Sequence, residues 1–177
     1  AGPEVHAWSK RFGDWEQDLG YSVTADAAGN VLLTGEFDGA IDFGGGLIKT
    51  EGWGDVFVLK LDASGDHVWS KHFGNSLDEW ATAVAVDAAD NVLLTGHFSG
   101  DVDFGGGPLL GAGGREIYAV KLAPDGSHRR SKRFGGSDYD QAYSISPDPA
   151  GNVLVTGHFD GTVDFGGGPL SAKGGRD

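Results

Sequence analysis

Residues 91–98 read NVLLTGHF, and the same eight positions recur as NVLLTGEF at 30–37 and NVLVTGHF at 152–159. The three copies lie 61 residues apart, as do Phe12, Phe73 and Phe134, and Lys10, Lys71 and Lys132. No insertion or deletion disturbs that spacing, so the chain is one unit used repeatedly. The apolar run inside the stretch is continuous rather than alternating, which marks a strand covered on both faces.

Working outward, each copy reads as four short strands. In the second copy, strand a is ATAVAVD (81–87), b is NVLLTGHF, c is EIYAVKL (116–122) and d is SHRRSKRF (127–134). Strands a to c are rich in β-branched, aliphatic and aromatic residues, as strands should be. No segment carries a sustained helical stripe, so no helix is expected. DAAGN (26–30) and DPAGN (148–152) link a to b, while DASGD (62–66) and APDGS (123–127) link c to d. A glycine late in such a loop suits a type I turn followed by a left-handed residue. Asp90 stands where the other copies have Gly29 and Gly151.

Four-stranded units covered on both faces and repeated at a fixed interval indicate an all-β chain of β-propeller blades. The extra length over an ordinary blade of ~40–50 residues lies in the b–c loop. That loop carries IDFGGGL (41–47), VDFGGGP (102–108) and VDFGGGP again (163–169). The expected layout over 1–177 is a single partial propeller: strand d at 5–12, a blade at 19–73, a second at 80–134 and a partial blade at 141–177. In register, the positions after Asp177 match VFVLKL (56–61) and IYAVKL (117–122), so one strand c is missing. That leaves the last strand b with an unpaired edge. About three blades are also few, since rings usually hold about four to eight. The expectation is part of a larger ring, completed by further blades of the parent chain or by identical copies.

Composition narrows the function. The formal net charge is −13, which repels a phosphate backbone and argues against nucleic acid. No apolar run is long enough for a membrane-spanning helix. Cysteine is absent, which removes disulfides and thiolate metal sites. Methionine is absent too, so the chain reads as a mature, trimmed or excised piece.

Three triple glycines invite a phosphate-loop reading: Gly44, Gly45 and Gly46; Gly105, Gly106 and Gly107; and Gly166, Gly167 and Gly168. That chemistry needs a helix after the loop, and a strand follows instead. Each triplet is therefore expected as a structural part used once per copy. Calcium fits the residue types better than phosphate, because DGAID (38–42), SGDVD (99–103) and DGTVD (160–164) offer oxygen ligands among glycines. The candidate ligands are Asp38, Asp42, Asp103, Asp160 and Asp164. The competing reading is structural: Asp42, Asp103 and Asp164 bind nearby backbone N–H groups in turns whose glycines take positive φ. His6, His67 and His128, like His97 and His158, fall one per copy with no metal-ligand spacing. Ser70 and Ser131 precede lysines in strands, without a nucleophile elbow. Lys60, Lys121 and the Lys10 series are expected as exposed cations at blade edges, each contributing little.

What does not repeat is more informative. Trp15 corresponds to Ser76 and Ser137, Trp53 to Gly114 and Gly175, and Trp80 to Leu19 and Gln141. Trp8 and Trp69 share one position and are expected to pack. Up-and-down blades put the d–a and b–c loops at one end. Trp15 and Trp53 are therefore expected on the same face as the triple glycines, and Trp15, Trp53, Trp80 and Tyr139 are the candidate ligand contacts. Such aromatics beside acidic groups suit a carbohydrate or a partner protein.

The stretches AVDAADNVLLTG (85–96), PDPAGNVLVTG (147–157) and FGGSDYDQAYSI (134–145) resemble the bacterial β-propeller repeat family called SBBP. The VDFGGGP loop resembles a variant found in large secreted or surface proteins of myxobacteria and their relatives. The resemblance implies a propeller fold and an extracellular or cell-surface setting, and it carries no catalytic residues. The expected function is a non-catalytic binding or scaffold module. The alternatives are a self-assembling structural protein and a polysaccharide-active enzyme on a propeller, the latter disfavoured because no asymmetric acid–base cluster stands out.

Overall fold

The computed structural model describes residues 6–177, all of it strand, turn and loop without helix. The first unit is an antiparallel sheet of β1 (Asp18–Ala25), β2 (Val31–Phe37), β5 (Asp55–Leu61) and β6 (His67–Phe73), hydrogen-bonded in that order. The second repeats it with β7 (Glu79–Val86), β8 (Val92–Phe98), β11 (Glu116–Leu122) and β12 (His128–Phe134). The third holds β13 (Gln141–Pro147) and β14 (Val153–His158). These are the expected strands a to d, then a and b. The a strands of successive units lie against one another, and β8 is buried along its whole length. The fold is β-propeller-like.

The repeated letters of NVLLTG have identifiable tasks. Thr34 and Thr95 each donate their hydroxyl to the carbonyl of Phe57 or Tyr118 on strand c, both at 2.7 Å. A Cβ at Gly35, Gly96 or Gly157 would collide with the carbonyl oxygen of Leu19, Trp80 or Gln141 on strand a. That close approach sits where each a strand shifts register, between Gly20 and Ser22, Ala81 and Ala83, and Ala142 and Ser144. The glycine thus makes room for a bulge repeated in every unit. Asp90 takes φ 58°, beside φ 82° and 85° at Gly29 and Gly151, as its position predicts.

The b–c connection is not a simple loop. It contains a small hairpin in each unit: β3 (Ala40–Asp42) with β4 (Leu47–Lys49), β9 (Val102–Asp103) with β10 (Pro108–Leu109), and β15 (Thr162–Asp164) with β16 (Pro169–Ser171). The triple glycine is its tip. Sequence periodicity misses strands of two or three residues because they are too short to alternate. The hairpin wedges between units. Phe104, fully buried, packs on Phe73 of the preceding unit and Tyr118 of its own, with ring centroids 5.1 and 4.6 Å apart. Phe43 does the same between Phe12 and Phe57. One apolar cluster therefore spans the first two units, from Leu32, Val56 and Val58 to Val84, Leu94, Phe104 and Tyr118.

Two expectations need correction. Residues 6–12 form no ladder, although the repeat predicts strand d over 5–12; Val5 lies outside the described residues. The segment still occupies a d-like place. Trp8 donates to the Ala63 carbonyl at 3.0 Å, as Trp69 of β6 donates to that of Pro124. Among the described residues no strand c precedes it to pair with. The second correction concerns lysine. Lys60 is buried and meets Asp26 at 2.8 Å, and Lys121 meets Asp87 at 2.7 Å. Both join strand c to the a–b turn; the Lys60 pair is buried, while the Lys121 side chain stays partly exposed.

Candidate functional site

The triple glycine is a self-contained turn. Asp42, Asp103 and Asp164 each use Oδ1 to accept two N–H groups, at 2.6–3.1 Å. The donors are the first and third glycines: Gly44 and Gly46, Gly105 and Gly107, and Gly166 and Gly168. Those glycines have φ between 97° and 110°, a region that favours glycine.

The middle glycine answers to space, and here the three copies part. A Cβ on Gly45 or Gly106 would collide with the ring of His67 or His128. A Cβ on Gly167 would meet nothing within 4 Å. The histidine opens strand d, and no strand d of the third unit lies among the described residues, so Gly167 has no ring to clear. Each histidine also contacts the serine three residues on, His67 Nε2 to Ser70 Oγ at 3.1 Å and His128 Nε2 to Ser131 Oγ at 3.2 Å.

The metal question can be judged on donors. Each turn aspartate already serves two N–H groups and stands in its own hairpin. Asp38 stands apart beside Glu36 and Asp78, and Asp160 lies 3.9 Å from Arg176. Among the described residues, no three acidic or histidine side chains are grouped to hold a metal. The donor set fits a capped turn better than an ion cage.

The aromatic candidates separate into three situations. Trp15 is fully exposed and lines neither hollow formed by the others. Trp53 and Trp80 line a hollow of about 190 Å3 with Gln17, Glu36, Asp38 and Asp78. Trp80 and Tyr139 line a neighbouring hollow of about 520 Å3 with Leu77, Asp78, Asp101 and Arg115. None of the triple glycines, Gly167 included, lines either hollow. In the first two units the hairpin folds back along the sheet to the start of strand d and carries them away.

Backbone geometry at the second hollow places its side chains. Arg115 and Tyr139 form a parallel bridge: the Arg115 N–H donates to Asp138 O at 3.1 Å, and the Asp140 N–H to Arg115 O at 2.8 Å. The Arg115 guanidinium then lies 4.1 Å over Trp80 and 5.7 Å from the Tyr139 ring centre. His97 stacks on Trp80 at 4.8 Å and 23°. Burial, then the Arg115 charge, then His158, push the His97 pKa down to about 4, so His97 is neutral at pH 7. Sequence reading missed His97 and Arg115 as partners of Trp80. Comparing every position across the repeat, rather than tryptophans alone, exposes them.

Beneath the loops lies a layer of acids, with Asp18 half-buried and Asp55, Glu79, Glu116 and Asp140 buried. Asp18, Glu79 and Asp140 open strand a and accept the N–H of Asp14, Asn75 and Gly136. Asp55 and Glu116 open strand c and accept from Glu51 and from Ala112 and Gly113. Burial raises the pKa of Asp18, Asp55 and Asp140, and pushes Glu79 up to about 8. Asp55 and Asp140 hold the loops that carry Trp53 and Tyr139, and Glu79 holds the loop that leads into Trp80 on β7.

No family model matches the chain. It is 23% identical to an uncharacterised WD repeat-containing protein of Acanthamoeba polyphaga mimivirus. The match covers 89% of this chain and 14% of that protein, so the chain spans about a seventh of the relative's length. The likeness agrees with the β-propeller-like repeat seen in the sheets.

Proposed function

We propose that the chain is a non-catalytic propeller module of a bacterial extracytoplasmic repeat protein of SBBP type, binding its ligand through the loop ends. One observation carries this reading: repeated residues are consumed by the fold, while non-repeated aromatics converge on two adjoining hollows. The turn aspartates cap glycines, and Lys60 and Lys121 neutralise turn carboxylates. Asp18, Glu79 and Asp140, one in each unit, bind backbone N–H groups, and the non-repeated Glu36 accepts the Tyr21 hydroxyl, which supports structural roles over an acid–base pair. Trp53, Trp80 and Tyr139 have no such task. The relative's description as WD repeat-containing is in keeping with a scaffold. Replacing Trp53 and Trp80 by alanine, with Trp15→Ala as a comparison, and screening glycans and cell-wall fractions tests the proposal. Unchanged binding sinks it.

A second reading, assembly into a larger ring or a surface layer, is favoured by the two open faces. Val23 on β1 is 65% exposed, whereas its equivalents Val84 and Ile145 are each 6% exposed beneath a neighbouring unit. At the other end, Val153, Leu154 and Val155 of β14 are exposed where β8 is buried. The mass in solution tests this: a discrete multiple of 18.4 kDa or a polymer supports assembly. A monomer at all concentrations leaves completion to other blades.

A further inference from the structure

The three units differ at one pair of equivalent loop positions. In the third unit these are Asp160 and Arg176, which face each other at 3.9 Å. In the first they are Asp38 and Gly54, and in the second Ser99 and Arg115. The middle unit has the arginine without its carboxylate. Arg115 makes no ion pair with any of the described residues. It is held instead between Trp80 and Tyr139, with Trp80 backed by His97.

From this geometry we infer an anion-binding subsite in the second hollow, in which Arg115 takes the carboxylate of an acidic saccharide. This rests on the proposed loop-end binding surface and specifies its ligand. A guanidinium clamped by flat rings keeps its in-plane donors free for a bidentate carboxylate, and little side-chain freedom is lost on binding. Arg115 is the one cation among the residues that line this hollow. The remaining walls choose between anions. Asp78 and Asp101 line the hollow with Ser99, and Asp101 already accepts the Gly111 N–H at 2.9 Å. They repel a peptide or polymer of closely spaced charges and accept hydrogen bonds from hydroxyl groups. Tyr139 is 56% exposed and offers an open ring against which a sugar face can lie. A hollow of about 520 Å3 holds more than a lone ion. One carboxylate among many hydroxyls on a ring with an apolar face fits all of these.

The test uses the whole chain and NMR titration of the Arg115 side-chain N–H and Trp80 indole N–H. The probes are glucuronate, galacturonate and N-acetylneuraminate, the neutral sugars glucose, galactose and N-acetylmannosamine, and a blocked glutamate tetrapeptide. At least one acidic sugar is expected to shift both signals and to bind at least ten-fold more tightly than its neutral counterpart. Arg115→Gln should remove that preference. Ser99→Asp, which restores the carboxylate of the third unit, should remove it with the aromatic stack intact, as reported by unchanged Trp80 and Tyr139 spectra. Equal binding of acidic and neutral sugars overturns the anion inference and leaves the binding surface standing. Binding of the peptide alone overturns the saccharide assignment. Binding of no probe overturns the subsite, while the tryptophan screen still decides the surface.

Discussion

Gly106 shows how one residue can be required for space rather than torsion. Its flanking glycines supply the positive φ, while its own Cβ position falls within 2.2 Å of the His128 ring. Gly106→Ala should therefore destabilise the protein by about 1–3 kcal/mol, the usual range for overpacking, measured by urea unfolding. Gly167→Ala is the internal control, because its Cβ would stand in open space and the cost should vanish. Equal midpoints for the two variants refute the steric role. Because Asp42, Asp103 and Asp164 each commit Oδ1 to two N–H groups and no three acidic or histidine side chains are grouped among the described residues, the melting temperature should be the same in EDTA and in millimolar calcium. A rise with calcium restores the ion reading. Glu79 behaves oppositely to an exposed acid. Its folded pKa of about 8 lies above the unfolded value of ~4.3. The stability it contributes is complete below pH ~4 and is lost as pH rises toward 8. Glu79→Gln should flatten that decline between pH 5 and 8, as followed by thermal unfolding. An identical pH profile in the variant would show that Glu79 does not titrate there.

Elements in this chain are locked to one another by charge as well as by apolar packing. Burial alone would raise the pKa of Asp26, but hydrogen bonds from Lys60 and Asn30 outweigh it and lower the value to about 2. The pair contributes stability above the unfolded pKa of ~3.9 and loses it as pH falls through about 2. Lys60→Met leaves Asp26 buried without its cation. The cost should be about 3–5 kcal/mol at pH 7, as for other buried pairs that lose one partner, and the acid limb of the stability profile should shrink. A loss under about 1 kcal/mol would return Lys60 to the class of exposed edge cations. The sequence could not distinguish the two cases. Lysine spacing is the same whether or not a neighbouring unit covers the strand.

Viewed whole, the molecule carries one strand in two environments. NVLLTG in β8 is paired on both edges and covered on both faces, whereas NVLVTG in β14 has one free edge. A single extra rung continues it, the mutual backbone pair of Phe159 and Asp177. In a dilute sample, amides of Val153–His158 should exchange at least about a hundred-fold faster than those of Val92–Phe98, because protection follows local pairing and burial. Equal protection would mean that the free edge is covered in solution.

The strand order, the a–b and c–d turns, the φ of Asp90 and the absence of helix among the described residues were legible in the sequence. All of them depend on local patterning or on one residue's torsion, and the 61-residue period supplies each of the repeated features several times over. Four things were decided by the tertiary structure alone. The hairpins turn the triple glycines back along the sheet, Gly45 and Gly106 clear a histidine that Gly167 does not meet, Lys60 is buried, and Arg115 is held between Trp80 and Tyr139. Each of these depends on which units and loops lie against each other. A one-dimensional period names equivalent positions but not their neighbours, so NVLLTGHF could announce the sheet while the chemistry of the surface above it waited on packing.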